Sequence, residues 1–224
     1  MNIGLAVSGG ADSVALLALL APLQERLGFK ATVLHFNHGL GKEVGEDAKF
    51  VKSLAARFGV GYLGGRGKAV RGKGESLEMA ARRVRLAFFA RAVKRLKLDA
   101  IATGHHMDDA AETFLMRVAR GSGPEGLSGM REVSILEVPE GRIAFIRPLL
   151  GLRDAELRSF LVSEGLEWRE DATNMDTSIM RNRVRRIVVP WLIENFDPHI
   201  VEHAAKCARL LREKPVEKKN DFRR

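Results

Sequence analysis

The chain of 224 residues is 46% hydrophobic and 29% charged, which excludes wholesale disorder and fits one large domain, or a domain with an appendage. Its single cysteine, Cys207, excludes a disulfide framework and a cysteine-held metal or iron–sulfur cluster, and its apolar runs all stop short of the ~18 residues that cross a bilayer. The net charge of +9 is uneven: residues 66–97 carry 11 basic side chains against 2 acidic, residues 181–224 carry 12 against 6, and residues 98–180 carry 8 against 15, so two basic stretches suited to a polyanion flank an acidic one.

Residues 2–7 are apolar and β-rich and end at Ser8-Gly9-Gly10-Ala11-Asp12-Ser13. They lack the basic flank of a signal peptide, which points to a soluble, cytoplasmic protein with no membrane partner. Residues 14–20 form an Ala/Leu-rich helix, with Pro22 near its end. A second buried strand is expected over 31–36, a helix over 43–58 and a short strand over 60–63. Residues 64–74 hold five glycines among basic side chains and read as a surface loop. Ser76 is placed to cap a long helix reaching about Lys97. A third buried strand over 99–103, a helix over 109–120 and a Gly-rich loop over 121–129 follow. A strand over 143–146 and a helix over 153–164 come next. Further helices near 181–194 and 198–212 complete the chain, ahead of a basic, frayed tail. Short apolar strands alternating with helices predict an α/β fold with a doubly wound, mainly parallel, Rossmann-like sheet and a helical C-terminal extension. The division expected is 1–150 for the sheet domain, 151–212 for the helical extension and 213–224 for the tail. Ligands of such sheets bind beyond the carboxyl ends of the strands.

The first turn carries the chemistry. Two glycines let backbone N–H groups approach an anion, the helix N-terminus adds partial positive charge, and Ser8 and Ser13 add hydroxyls. Without a Gly-Lys-Ser/Thr sequence it is no Walker loop, and without Gly-x-Gly-x-x-Gly it is no dinucleotide fingerprint. An acid at an anion site, Asp12, suggests a magnesium ion or a cationic co-substrate. A plain strand-to-helix turn is the alternative.

Ser-Gly-Gly-x-Asp-Ser resembles the signature of the PP-loop ATP pyrophosphatases, enzymes that cut ATP between its α- and β-phosphates and adenylate a carbonyl oxygen. Four further segments narrow the likeness: His35-Phe36-Asn37-His38-Gly39-Leu40; Thr103-Gly104-His105-His106-Met107-Asp108-Asp109 with Glu112 and Thr113; Arg117 with Arg120-Gly121-Ser122-Gly123; and Arg147-Pro148-Leu149-Leu150, followed by Glu170-Asp171, Thr173-Asn174 and Arg181-Asn182-Arg183-Val184-Arg185. Together they look like the tRNA(Ile)-lysidine synthetases, over about residues 2–212. Leu86 replaces a usual aromatic and Arg186 a common histidine. Many members also carry C-terminal domains that grip the tRNA, for which this chain has almost no room.

The resemblance implies an ATP-dependent ligase for tRNA modification. Lysine is joined to C2 of the wobble cytidine of tRNA(Ile) with a CAU anticodon, through an adenylated cytidine, giving lysidine, AMP and pyrophosphate. It implies ATP and Mg2+ as cofactors, tRNA(Ile) and free L-lysine as partners, and it is compatible with a homodimer. ATP binding falls to Ser8, Gly9, Gly10, Ala11, Asp12, Ser13, His35, Asn37, Gly104 and His105. The catalytic set is Asp12, Asp109, Glu112 and Arg82, with the metal on Asp12. Asp109 and Glu112, three apart on one helix face, are assigned to the lysine. Arg82, Arg85, Arg117, Arg120, Arg181, Asn182 and Arg185 are assigned to tRNA. Asp108 is the acid best explained as a helix cap. His35, His38, His105 and His106 invite a zinc reading, but adjacent or closely split histidines on regular backbone point different ways, so base or ribose contacts are favoured for His35 and His105. Trp168 and Trp191 fit a core better than a base-stacking platform, and Cys207 is expected to be buried. The competing readings are a PP-loop tRNA thiolase, disfavoured by the single cysteine, and a non-catalytic remnant that binds tRNA or ATP.

Overall fold

In a computed structural model of the chain, residues 1–37, 44–170 and 175–213 are described. His38, Gly39 and Leu40, Asp171 with Thr173 and Asn174, and the tail beyond 213 lie outside them.

The chain divides into two compact units, through their described residues: Met1–His106 with Glu132–Asp171, and Met107–Arg131 with Ala172–Arg224. Each is built from two stretches of sequence, whereas the sequence-based division at residue 150 is continuous. The helix over 154–163 groups with the sheet, and the helix after His106 groups with the C-terminal helices.

The first unit is built on a six-stranded sheet in the order β3-β2-β1-β4-β6-β5. Its strands are β1 (Asn2–Ala6), β2 (Lys30–Asn37), β3 (Gly61–Arg66), β4 (Ala100–Ala102), β5 (Val133–Val138) and β6 (Gly141–Ile146). All neighbours run parallel except β5, which pairs antiparallel with β6 from Val133 opposite Ile146 to Val138 opposite Gly141. Residue alternation sends Leu5 and Val33 to one face, against α1 (Ala11–Leu20), α3 (Val44–Arg57) and α7 (Asp154–Ser163). Leu34, Ile101 and Phe145 go to the other face, against Phe88 and Phe89 of α4 (Leu77–Leu96). Helix α1 runs on through a 3-10 turn, Ala21–Leu23, into the single turn α2 (Gln24–Leu27), which Gly28 ends at φ 65°. Ser76 caps α4 as its position suggests, accepting a hydrogen bond from the Met79 amide at 3.1 Å.

The first unit departs from the sequence reading in two boundaries and one added strand. Gly64 and Gly65 belong to β3, paired with His35 and Phe36, because β2 continues its ladder to Asn37; a Cβ on Gly65 would run into the Phe88 ring, so α4 packs against bare backbone there. β5 is an added edge strand whose Ile135 is 53% exposed, too weakly buried to show in the sequence. α1 starts at Ala11 rather than 14, directly on the loop.

The second unit is helical: α5 (Met107–Ala119), the single turn α6 (Pro124–Leu127), α8 (Met180–Arg183), a π-helical stretch Val184–Val188, α9 (Val189–Asn195) and α10 (Ile200–Glu213). Val201, Ala204 and Ala208 turn inward at helical spacing, with Val201 and Ala204 joining Ala111 of α5 in a small core. That stripe leaves Cys207 exposed rather than buried. Trp191 is 53% exposed against Phe196, ring centroids 5.3 Å apart, so it is not a core residue. Trp168 is partly buried against the sheet core and donates to Glu170 at 2.9 Å. Among the described residues, no helix is long and apolar enough to cross a membrane.

Candidate functional site

Residues 8–13 join β1 to α1 and wrap around one hydroxyl. Ser13 is 7% exposed. Its Oγ accepts from the amides of Ser8 at 3.2 Å and Gly9 at 3.1 Å, and donates to the Gly10 carbonyl at 2.8 Å. Gly9 has φ 108°, a conformation that an L side chain rarely adopts. The Ser13 hydroxyl is therefore engaged inside the turn rather than offered to an anion, while Ser8 Oγ lies 3.2 Å from it on the exposed side. Helix α1 begins at Ala11, so the first-turn amides of Ala11 and Asp12 emerge at its N-terminus, where the helix dipole favours negative charge.

Gly104 brings the exit of β4 against this turn: a Cβ there would lie 2.7 Å from the Asp12 carbonyl oxygen. His105 follows, its Nδ1 2.8 Å from Thr103 Oγ1. His106 is 1% exposed, with Nε2 3.6 Å from Asp12 Oδ1. Asp12 supplies the hard oxygen donor that a magnesium ion requires, so the residues present fit the ion.

His35, 3% exposed, hydrogen-bonds through Nδ1 to the Val7 carbonyl at 2.9 Å, tying β2 to the foot of the loop. That carbonyl can only accept, so Nδ1 carries a proton, and in the neutral imidazole Nε2 is then an acceptor; it has no hydrogen-bond partner among the described residues. His35 and Asn37 line a cleft of about 540 Å³ with Gly45, Tyr62, Gly65 and Arg66, among others, past the carboxyl ends of β2 and β3. On α4, Arg82 and Arg85 are exposed. Desolvation lowers the pKa of Arg85 and of Arg147, and the nearby charge of Arg82 lowers both further. Neighbouring atoms crowd the Arg85 head group even though the residue as a whole is exposed. Arg147 was not among the residues picked from sequence, where it reads only as part of Arg-Pro-Leu-Leu.

In the second unit Asp109 and Glu112, 7% and 2% exposed, do share a face of α5. Arg185, from the π-helical stretch, donates to Asp109 Oδ1 at 2.9 Å and to Glu112 Oε1 and Oε2 at 2.5 and 3.3 Å. Arg181 Nε lies 3.6 Å from Glu112 and its terminal nitrogen donates to Thr113 at 2.7 Å. Burial raises the Glu112 pKa more than Arg185 lowers it. Asn182 donates to the Asp176 carbonyl at 2.9 Å, and Arg117 donates to the Gly126 carbonyl. Arg120 is exposed just after α5.

A mainly parallel α/β sheet whose strand β1 leads through a glycine turn into a helix N-terminus is the arrangement of a PP-loop domain. The chain belongs to that family, whose model matches residues 1–192. The family uses ATP, and membership implies an ATP site. The chain is 41% identical over 212 residues to the tRNA(Ile)-lysidine synthase of Solibacter usitatus, covering 94% of this chain and 45% of the relative. It is 40% identical over 211 residues to that of Geobacter sulfurreducens (92% and 43%) and 42% over 195 residues to that of Thermus thermophilus (86% and 36%). The chain thus spans about half the length or less of these curated relatives. A solved U34-tRNA thiolase from Methanococcus maripaludis, with its [4Fe-4S] cluster, shares the fold at a TM-score of 0.71 and 19% identity, covering 98% of this chain and 75% of that one.

Proposed function

We propose that the chain carries the ATP-dependent ligase activity named for its relatives: lysine is joined to the wobble cytidine of tRNA(Ile) with a CAU anticodon. The α/β unit serves as the nucleotide-binding catalytic part, and the C-terminal helices contribute to contacts with tRNA and lysine. The observation that carries this reading over its rivals is the buried pair Asp109–Glu112. Arg185 and Arg181 hold the two carboxylates on one face of α5, and their remaining lone pairs are the acceptors a lysine ammonium requires. The thiolase reading lacks its sulfur carriers, since the chain has one cysteine.

The turn over 8–13 and the α1 amides receive the leaving pyrophosphate, and His35 Nε2 accepts a hydrogen bond from the exocyclic amine of the adenine. Gly104 and His105 close the nucleotide site, with Asn37 beside His35. A magnesium ion held by Asp12 would neutralise charge on the phosphates as they part. The cytidine carbonyl oxygen attacks the α-phosphorus and the bond to pyrophosphate breaks, leaving the base esterified to AMP. The lysine ε-amine then attacks C2, and the C2–O bond breaks with AMP as the leaving group. The ammonium, with a reference pKa of ~10.4, must first lose a proton, for which a carboxylate or phosphate oxygen is the acceptor. Arg82 stabilises the phosphates and joins Arg85 and Arg120 in holding tRNA, while Arg117, Arg181, Asn182 and Arg185, engaged within the second unit, position α5 and its acids. Cytoplasmic location follows from the substrate, and a homodimer is compatible with the reading.

The test combines pyrophosphate release with transfer of labelled lysine to a CAU-anticodon tRNA under magnesium and ATP. Transfer is expected. Glu112→Gln is expected to raise the KM for lysine at least ~10-fold while leaving that for ATP within ~2-fold, the signature of lost ligand binding. Pyrophosphate release without lysine incorporation into any such tRNA sinks the reading.

A further inference from the structure

Two residues beside Asp12 have no part in that reaction. His106 closes the loop after β4, buried to 1% exposure, and aims Nε2 at Asp12 Oδ1 from 3.6 Å. Asp154 opens α7 from a different stretch of sequence. One carboxylate oxygen of Asp12, one of Asp154 and one ring nitrogen of His106 all lie within 4.8 Å of one another. Arg158 is shared by Asp154 at 3.0 Å and Glu170 at 2.9 Å, so one guanidinium serves two carboxylates.

We propose that Asp12, His106 and Asp154 form a resident site for a divalent first-row transition metal ion, filled in the absence of nucleotide. Donors ~2.1 Å from such an ion lie roughly 3–4 Å apart. The His106–Asp12 separation is within that range, and closing the rest needs a shift of about 1 Å by the half-exposed Asp154 side chain. A carboxylate has about four lone-pair positions, so Asp154 can keep Arg158 and still ligate. Two carboxylates and a neutral imidazole balance a charge of +2. Imidazole is the deciding donor, because magnesium takes oxygen ligands whereas manganese, iron, cobalt and zinc accept ring nitrogen. The ion would sit at the α1 N-terminus, adding fixed positive charge where the turn admits an anion. The proposal shares with the reading above the assignment of an ion to Asp12, but nothing in it depends on which base is modified.

Mn2+ is the probe, added to the full chain without ATP, tRNA or lysine and followed by electron paramagnetic resonance. One Mn2+ per chain is expected, retained against a tenfold excess of Mg2+, with a 14N modulation from the imidazole in spin-echo spectra. His106→Gln should abolish the 14N modulation. Asp154→Asn, at a half-exposed position that leaves the buried imidazole in place, should weaken Mn2+ binding roughly 10-fold or more. Mn2+ that binds only once ATP is added overturns the proposal. So does a 14N signal that survives His106→Gln, or an affinity unchanged in Asp154→Asn. Such a failure leaves lysine transfer, measured separately, untouched.

Discussion

Gly104 and Ser13 shape the turn over residues 8–13 from opposite sides. Gly104 leaves no room for a side chain, since a methyl group would meet the backbone of Asp12 at 2.7 Å, and backbone cannot swing aside as a flexible side chain can. Gly104→Ala should therefore push β4's exit away from α1, cost about 1–3 kcal/mol of stability and weaken ATP binding at least ~10-fold; calorimetric titration with a non-hydrolysable ATP analogue measures the binding. Ser13 acts from inside. Its hydroxyl holds the Ser8 and Gly9 amides and the Gly10 carbonyl together, so Ser13→Ala takes the acceptor from the Ser8 and Gly9 amides, while the Gly10 carbonyl keeps the Ser13 and Val14 amides. A loss of about 1–3 kcal/mol is expected in denaturant unfolding, together with a raised KM for ATP. A stability unchanged within error would mean that the turn is held by other contacts. The turn itself was legible in the sequence because all its determinants are local: an apolar strand, two glycines and an Ala/Leu helix within twenty residues. That the Ser13 hydroxyl faces inward was not, since the same residue type at the same position also suits a ligand contact.

At the level of elements, α5 and the π-helical stretch depend on one another through charge. Arg185 sits 73 residues from Glu112 in sequence, which is why the acids were readable and their partner was not. Spacing along α5 puts Asp109 and Glu112 on one face, but no local pattern says which distant cation faces them. Removing the guanidinium strands two buried carboxylates. Arg185→Met should cost about 2–4 kcal/mol in urea unfolding, below the top of the range for a broken buried pair because Arg185 is itself 39% exposed. Arg185→Lys should recover part of that loss. The pH dependence has a definite sign. Burial raises the Glu112 pKa above its ordinary 4.5, so the folded state holds this proton more tightly than the unfolded chain. That contribution is fully present below the unfolded pKa and is lost as pH rises through the folded one. Stability of Glu112→Gln relative to the parent should therefore improve from about pH 4.5 upward. In the Arg185→Met background the change should extend to higher pH, because the lowering influence of Arg185 is gone. Paired unfolding curves across that range decide it, and a parent-to-variant difference that is flat with pH would contradict the raised pKa.

For the whole molecule, the uneven charge makes a prediction that single contacts do not. The stretch over 66–97 holds 11 basic residues and 2 acidic ones, and the two acids leave most of that charge uncompensated. Arg83 is the exception: it is paired with Glu75, Nε to Oε1 at 3.1 Å and a terminal nitrogen to Oε2 at 3.0 Å. Arg82 and Arg85, one position before and two after, have no such acid among the described residues, and the charge of Arg82 bears on Arg85 and Arg147 instead. If α4 meets the tRNA backbone, binding releases counterions in proportion to the phosphates neutralised, and log K falls linearly with log salt, by about 0.7 per phosphate on single-stranded RNA. Arg82→Ala with Arg85→Ala should then flatten that slope by roughly 1–1.5 and lower affinity most at low salt. Arg83→Ala should leave the slope within error, because its guanidinium already has a carboxylate partner and brings little net charge to the surface. Filter binding of a CAU-anticodon tRNA between low and physiological salt reads all three variants. Equal loss of slope in all of them would mean that diffuse charge, not these two side chains, holds the tRNA. An unchanged slope in the double variant would move the tRNA interface off α4 and onto the second basic stretch, over 181–224.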